Sequence, residues 1–348
     1  MFSIQKVRRH VQSLAEGYIP TRLQSRFFVG VEGLGLTGFS SLNANGRLLA
    51  TNRHTGESRI RRAISDQRFT RLILKIIIRQ YLPRVSCLTK GSLRFSLDHS
   101  QFGDFYAAVL SVSIGKGRAL PVWCVVTRFK RGQMLKPLMR GLCLVISELS
   151  YEQRSMVTMT MDRWFGIPSL LTWLDDEHIN FIVRMKAGTP VGVPWQAPGV
   201  TMPIGEISLE DTPVTYAGRD RRLIRSEWDE NMKEDEPWFL LTNIVEDKQR
   251  GSRRHLLNLY AERFEIEEYF KDSKWIQRYK WHLIQKKENL TITLLFAFMG
   301  WWVLYAAGKT LIRQNRSREI DPKKRLSWFR EVWEHWQRLR TISLFVRP

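Results

Sequence analysis

Residues 92–128, SLRFSLDHSQFGDFYAAVLSVSIGKGRALPVWCVVTR, contain three runs of apolar or alternating residues. The runs lie at 92–97, 106–114 and 119–128, and the segments between them contain glycine. Alternation with a period of two residues is typical of strands, and glycine between such runs favours turns. The stretch therefore predicts a three-stranded antiparallel meander.

Helix-like and strand-like segments alternate beyond this meander. They are a helix at 138–149, a buried strand at 156–161 (MVTMTM), a helix at 167–174, a strand at 180–185 (NFIVRM), a strand at 238–244 and a long helix at 253–274. From the meander to residue 185 the order is βββαβαβ, which is typical of an α/β fold.

Residues 187–236 interrupt this alternation. Glycine, proline and short alternating runs dominate there, and an acidic cluster lies at 229–236. We interpret this segment as a β-rich insertion. The predicted organisation is a basic helical region at 1–90, a core at 91–186 and 237–312, the insertion at 187–236 and a basic helical region at 313–348.

The net charge is concentrated at the two ends of the chain. Among 348 residues, 55 Lys and Arg face 34 Asp and Glu, which gives a charge of +21. Residues 1–90 carry +12 of this, residues 91–280 carry +1 and residues 281–348 carry +8. Such a surplus favours a polyanion partner and disfavours an enzyme of acidic metabolites. The hydrophobic content of 43% excludes a disordered basic tail.

The N-terminal region contains a candidate DNA-binding helix. Helical periodicity covers 1–15 and 65–81, and the segment between, 29–56, is predicted to be irregular. A basic stripe recurs at helical spacing in the second helix, at Arg68, Arg71, Lys75 and Arg79. A solvated face is the alternative, but four nearby arginines favour DNA contact: Arg53, Arg59, Arg61 and Arg62.

Two aspartates follow apolar runs. Asp98 is predicted to close the first strand and Asp162 to close the fourth. The carboxyl ends of strands in an open α/β sheet are common positions for functional groups. The alternative is that each aspartate starts a turn or caps a helix.

The helix predicted at 253–274 presents four functional side chains on one face. Tyr260, Arg263, Glu267 and Lys274 fall within about 60° of one another at 100° per residue. A carboxylate surrounded by cations and a phenol suits a site for metal and phosphate. The alternative is a solvent face with helix-stabilising pairs such as Glu267 and Lys271.

The ungapped spacing Tyr-x2-Arg-x3-Glu-x6-Lys at 260–274 resembles the signature of the DDE transposases of the insertion-sequence-four group, also called YREK transposases. The segment at Asp98 is similar to the first Asp motif of that family, although His99 is not the commonest residue there. The segment Asp162-Arg163-Trp164-Phe165 is similar to its second. The order of strands and helices is similar to the family's RNase H-like core, a mixed five-stranded sheet with helices.

The resemblance implies a function and a set of roles. Asp98, Asp162 and Glu267 would bind two Mg²⁺ or Mn²⁺ ions that cleave DNA phosphodiesters and transfer the 3′-OH to a target. Tyr260, Arg263 and Lys274 would hold phosphates of the element end. The implied partners are the inverted repeats, target DNA and a second copy of the chain.

Trp238 lies 22 residues before Tyr260 and resembles a family tryptophan that stacks on a flipped base. An ordinary core tryptophan is the alternative.

An uncharged stretch at 290–308 is long enough to span a bilayer. We favour a buried core helix and expect no membrane partner. The three cysteines lack metal-ligand spacing, and a reducing, prokaryotic cytoplasm is expected. Two further hypotheses remain open: a catalytically inactive DNA-binding protein derived from a transposase, and a membrane-anchored basic protein.

Overall fold

The computed structural model describes residues 4–36, 53–86, 92–102, 104–114, 118–128, 131–227, 237–245, 251–267, 269–270, 284 and 286–315. Within this part of the chain the protein is mixed α/β, with one large mixed sheet and helices packed around it.

The N-terminal region is helical in its described parts. Its elements are α1 (Ile4–Tyr18), α2 (Thr21–Gly30) with a π-helical turn (Val31–Gly35), α3 (Arg53–Ile64), α4 (Arg68–Ile76) with a π-helical turn (Ile77–Tyr81), and α5 (Leu82–Ser86).

The prediction of an irregular segment at 29–56 is wrong at both ends, because residues 29–35 and 53–56 are helical. Glycines that suggested a loop instead permit close packing, since a side chain on Gly30 would collide with the Phe296 ring.

The predicted meander and the strand–helix alternation after it are confirmed. The elements are β1 (Leu93–Phe102), β2 (Phe105–Ser113), β3 (Ala119–Thr127), α6 (Arg131–Glu148), α7 (Tyr151–Ser155), β4 (Val157–Met161), α8 (Pro168–Asp176) and β5 (Asn180–Met185). Strands β1 to β3 pair antiparallel, whereas β1, β4 and β5 are parallel neighbours.

One predicted strand end is wrong. Asp98 lies inside β1 because pairing with β2 continues to Phe102, opposite Phe105. Asp162 does follow the last residue of β4, as predicted.

The sheet is larger than the five strands predicted for the core. Residues 187–227 contain β6 (Pro190–Gly192), β7 (Thr201–Pro203), β8 (Asp211–Tyr216) and β9 (Arg219–Arg225), and β10 (Phe239–Thr242) follows. Because β10 pairs with both β5 and β9, these strands extend one ten-stranded sheet of order β3-β2-β1-β4-β5-β10-β9-β8-β6-β7.

The long helix predicted at 253–274 is interrupted. Helix α9 (Arg253–Ala261) is followed by a 3₁₀ turn (Glu262–Phe264) and then by helical residues at 265–267 and 269–270. Lys274 and residues 316–348 lie outside the described residues.

The apolar stretch near the C-terminus forms part of α10 (Lys287–Asn315). Within the described chain, α10 is the one helix with the length and composition to cross a membrane. Of its most apolar part, within Lys287–Ala306, 83% is buried inside the protein. The Trp302 indole donates a hydrogen bond of 2.7 Å to the carbonyl oxygen of Pro121 in β3. Burial against the sheet and the N-terminal helices therefore accounts for its apolar sequence.

Candidate functional site

Parallel pairing places the two aspartates on neighbouring strands. Leu97 of β1 lies opposite Met161 of β4, so the residues that follow them, Asp98 and Asp162, are adjacent on the two neighbouring segments. Asp162 is partly exposed and precedes a 3₁₀ turn (Arg163–Phe165), whereas Asp98 is buried within β1.

Arg263 joins Asp98 to Glu267. Its Nη1 donates a hydrogen bond of 2.7 Å to Oδ2 of Asp98, and its Nη2 lies 3.5 Å from Oε1 of Glu267. The Arg263 and Asp98 side chains are 5% and 12% exposed, whereas that of Glu267 is 44% exposed. The structure therefore brings Asp98 together with Arg263 and Glu267, although Asp98 and Arg263 are 165 positions apart in the sequence.

Burial dominates the electrostatics of Asp98. Desolvation raises the pKa of its carboxyl above the ordinary value, and the negative charge of Asp162 acts in the same direction. The Arg263 guanidinium and the backbone N–H of His99, which donates to Oδ1 at 2.7 Å, act in the opposite direction. The influence of Asp162 on Asp98 and on Arg263 places it in the same electrostatic cluster.

Tyr260 is enclosed by aromatic rings on the other side of Arg263. The ring centroid of Trp238 lies 5.2 Å from that of Tyr260, and the Phe264 centroid lies 6.4 Å away. Burial raises the pKa of Tyr260 to about 12. Among the described residues its hydroxyl has no hydrogen-bond partner.

Two contacts that the sequence did not reveal lie on the segment that carries Arg263. Arg94 of β1 forms an ion pair with Glu262, the residue before Arg263. Ser113, at the end of β2, donates a 2.6 Å hydrogen bond to the buried Glu265. Both contacts join partners more than 150 positions apart, and no spacing within the sequence indicates them.

His99 belongs to an aromatic group beside Asp98. Its ring stacks on Trp164, with centroids 5.1 Å apart and planes at 26°. Trp164 in turn meets the buried Phe165 edge to face. The residue at which the first motif departs from the family pattern thus supports the turn that follows Asp162.

Trp238 is half-buried and packs against Tyr260 and Phe264. Both interpretations, a core residue and a stacking residue, are compatible with this position.

The predicted basic stripe is partly neutralised within the protein. Arg68 forms two hydrogen bonds with Asp66, and Arg79 pairs with Glu148. Arg71 is exposed and Lys75 is partly exposed, and within the described ranges neither lies within ion-pair distance of an acid.

The carboxylates suit a divalent cation in chemical type but are not arranged as ligands in this conformation. Carboxylate oxygens are preferred by hard cations such as Mg²⁺. Across the described part of the chain, however, no three Asp, Glu, His or Cys side chains come together in a group that could hold a metal ion. Oδ2 of Asp98 is instead engaged by the Arg263 guanidinium.

Residues 136–303 match the family model of the transposase DDE domain. The match supports a DDE transposase. It includes Asp162, Arg263 and Glu267, whereas Asp98 precedes it. DDE transposases act on DNA and generally use divalent metal ions. No protein of curated function matches the chain.

Proposed function

We propose that this protein is a DDE transposase of the insertion-sequence-four group, which cuts DNA at the ends of its own mobile element and transfers the 3′-OH to target DNA. The observation that carries the proposal is that Arg263 contacts both Asp98 and Glu267, while Asp162 directly follows β4, the strand that pairs with β1 beside Asp98. The strand order β3-β2-β1-β4-β5, with β1, β4 and β5 parallel, supports an RNase H-like core.

The proposed roles follow from burial and charge. Asp98, Asp162 and Glu267 are the carboxylates assigned to the two Mg²⁺ or Mn²⁺ ions, which would supply the charge that phosphodiester cleavage requires. Arg263 carries a guanidinium that can bind a phosphate in bidentate fashion. The buried ring of Tyr260 limits the positions of Arg263 and Trp238, each of which it contacts.

The remaining assignments extend this proposal. Residues 1–90 and 313–348 bind DNA, residues 91–186 and 237–312 form the core, and residues 187–236 are an insertion whose strands β6 to β9 extend the core sheet. A dimer brings two element ends together in a prokaryotic cytoplasm. Arg71 and Lys75 are the members of the basic stripe best placed to contact phosphates, since Arg68 and Arg79 are engaged by acids.

The test uses duplex DNA made from the sequence that immediately flanks the gene, labelled at one end and incubated with Mg²⁺ or Mn²⁺. We expect wild-type protein to cleave it and Asp162→Asn to leave it intact. Asp176→Asn is a matched control, because Asp176 pairs with Arg219 on the surface. Cleavage by Asp162→Asn at the wild-type rate contradicts the proposal.

One observation favours the second candidate, a catalytically inactive DNA-binding protein. Among the described residues no assembled group of metal ligands exists. Salt-sensitive DNA binding without cleavage in either metal would support this candidate.

A further inference from the structure

The Arg263 guanidinium lies between two of the carboxylates that the proposed function assigns to metal binding. Its two terminal nitrogens face two different acids, Asp98 at 2.7 Å and Glu267 at 3.5 Å. Asp98 therefore already has a positive charge against one of its two carboxylate oxygens, Oδ2. Within this conformation a metal ion and the guanidinium are alternatives for that oxygen.

Two aromatic rings also contact the Arg263 guanidinium. Its Cζ lies 4.5 Å from the ring centroid of Phe264 and 5.6 Å from that of Tyr260. Cation–π contacts are stronger when the partners are shielded from water, and only 5% of the Arg263 side chain is exposed. The contact with Asp98 is thus a charge-assisted hydrogen bond shielded from water, and breaking it without a replacement leaves a buried charge uncompensated.

One of the two acids can leave this arrangement more easily. The Glu267 side chain is 44% exposed and its contact with Arg263 is the longer one. Asp98 is fixed by β1 and by the His99 amide. A change that frees Asp98 must therefore move Arg263 and not the strand.

We propose that Arg263 is an internal cation that blocks the metal site of the DNA-free protein, and that it leaves Asp98 when a DNA phosphate offers it an alternative anion. This inference rests on the proposed function, because it assigns Asp98 and Glu267 to metal binding. DNA binding and metal binding at Asp98 are then coupled, so that the site assembles only on DNA.

The proposal is tested by Mn²⁺ binding to full-length, DNA-free protein, measured from the electron paramagnetic resonance signal of free Mn²⁺ at fixed pH and salt. Arg263→Gln is expected to bind Mn²⁺ about tenfold more tightly than wild type, the scale of one charge-assisted hydrogen bond. Adding Asp98→Asn to Arg263→Gln is expected to abolish the gain.

Arg94→Gln is the matched control. It removes the ion pair of the adjacent Glu262 and leaves Asp98 and Arg263 in contact. Its Mn²⁺ affinity should equal that of wild type. If Arg263→Gln fails to fold, Arg263→Lys replaces it, because one ammonium group cannot span two carboxylates as a guanidinium does. A smaller gain, about threefold, is then expected.

Equal or weaker Mn²⁺ binding by the Arg263 variant overturns the proposal, as does an equal gain in Arg94→Gln. Failure of the proposed function is recognised separately, since it would show as absence of DNA cleavage by wild-type protein. Tighter Mn²⁺ binding by Arg263→Gln than by wild type would support the block by Arg263 whether or not the DNA chosen for cleavage is the correct one.

Discussion

Gly35 and Gly300 are in backbone contact, which joins the π-helical turn after α2 to the middle of α10. A Cβ built on Gly300 would collide with the carbonyl group of Gly35, and one on Gly35 would collide with the carbonyl oxygen of Phe296. Since the colliding atoms belong to the backbone, no change of rotamer relieves the overlap.

Gly300→Ala is therefore expected to lower the free energy of unfolding by about 1–3 kcal/mol, measured by urea denaturation. Gly17→Ala is the control, because a Cβ at this exposed position of α1 would meet no atom within 4 Å. It should be neutral or stabilise by up to about 1 kcal/mol. Equal effects of the two substitutions would contradict the close approach.

Acidification should weaken the packing of α1. His10 lies 2.9 Å from the Tyr81 hydroxyl, and burial, with a smaller contribution from Arg84, lowers the pKa of His10 below the ordinary 6.5. A lowered histidine pKa contributes stability above 6.5 that is lost as the pH falls through the folded-state pKa.

Denaturant unfolding between pH 7.5 and pH 5 should show a steeper loss of stability in wild type than in His10→Gln. Tyr81→Phe should keep the wild-type slope, since burial is the larger cause of the shift. Parallel slopes for wild type and His10→Gln would contradict this account.

The free cations of α4 should contact DNA in the proposed function. Arg71→Gln combined with Lys75→Gln is expected to lower affinity for element-end DNA and to reduce the slope of log K against log salt by about 1.8, at about 0.9 per lost phosphate contact. Arg79→Gln is the comparison, because Arg79 is paired with Glu148. A slope unchanged in the double variant would remove this helix from the DNA interface.

Trp238 offers a test of base stacking. In the proposed function Trp238→Ala should weaken binding of cleaved element ends by about 1–3 kcal/mol, and Trp238→Phe should retain most of the affinity. Trp195→Ala, at a tryptophan that is 54% exposed, serves as control and should bind like wild type. Equal binding by all three variants would leave Trp238 as a packing residue.

The sequence predicted the local elements of the fold well but not their extent. Apolar or alternating runs identified the meander, and short apolar runs identified the strands at 156–161 and 180–185, because the composition of a strand is a local property. The continuation of β1 past Asp98 depends on pairing with β2, and the joining of β9 to β10 depends on pairing between strands that lie apart in the sequence. Neither pairing can be predicted from local composition.

For the candidate site, too, the sequence predicted local features but not long-range contacts. Spacing on a helix identified Arg263 and Glu267, yet the 3₁₀ turn at Glu262–Phe264 departs from the uniform helix assumed for that projection. Spacing also gave no sign that Arg263 would contact Asp98, since the pair is separated by 165 positions. Lys274, the fourth residue of the signature, lies outside the described residues and stays a prediction.

The most direct test of the proposed function compares Glu267→Gln with Glu262→Gln in cleavage of duplex DNA from the flank of the gene, with Mg²⁺ or Mn²⁺. Glu267 faces Arg263 within the carboxylate cluster, whereas Glu262, five residues earlier, pairs with Arg94. The account predicts that Glu267→Gln abolishes cleavage and that Glu262→Gln retains it. Cleavage by Glu267→Gln at the wild-type rate would contradict the assignment of this cluster as the catalytic centre.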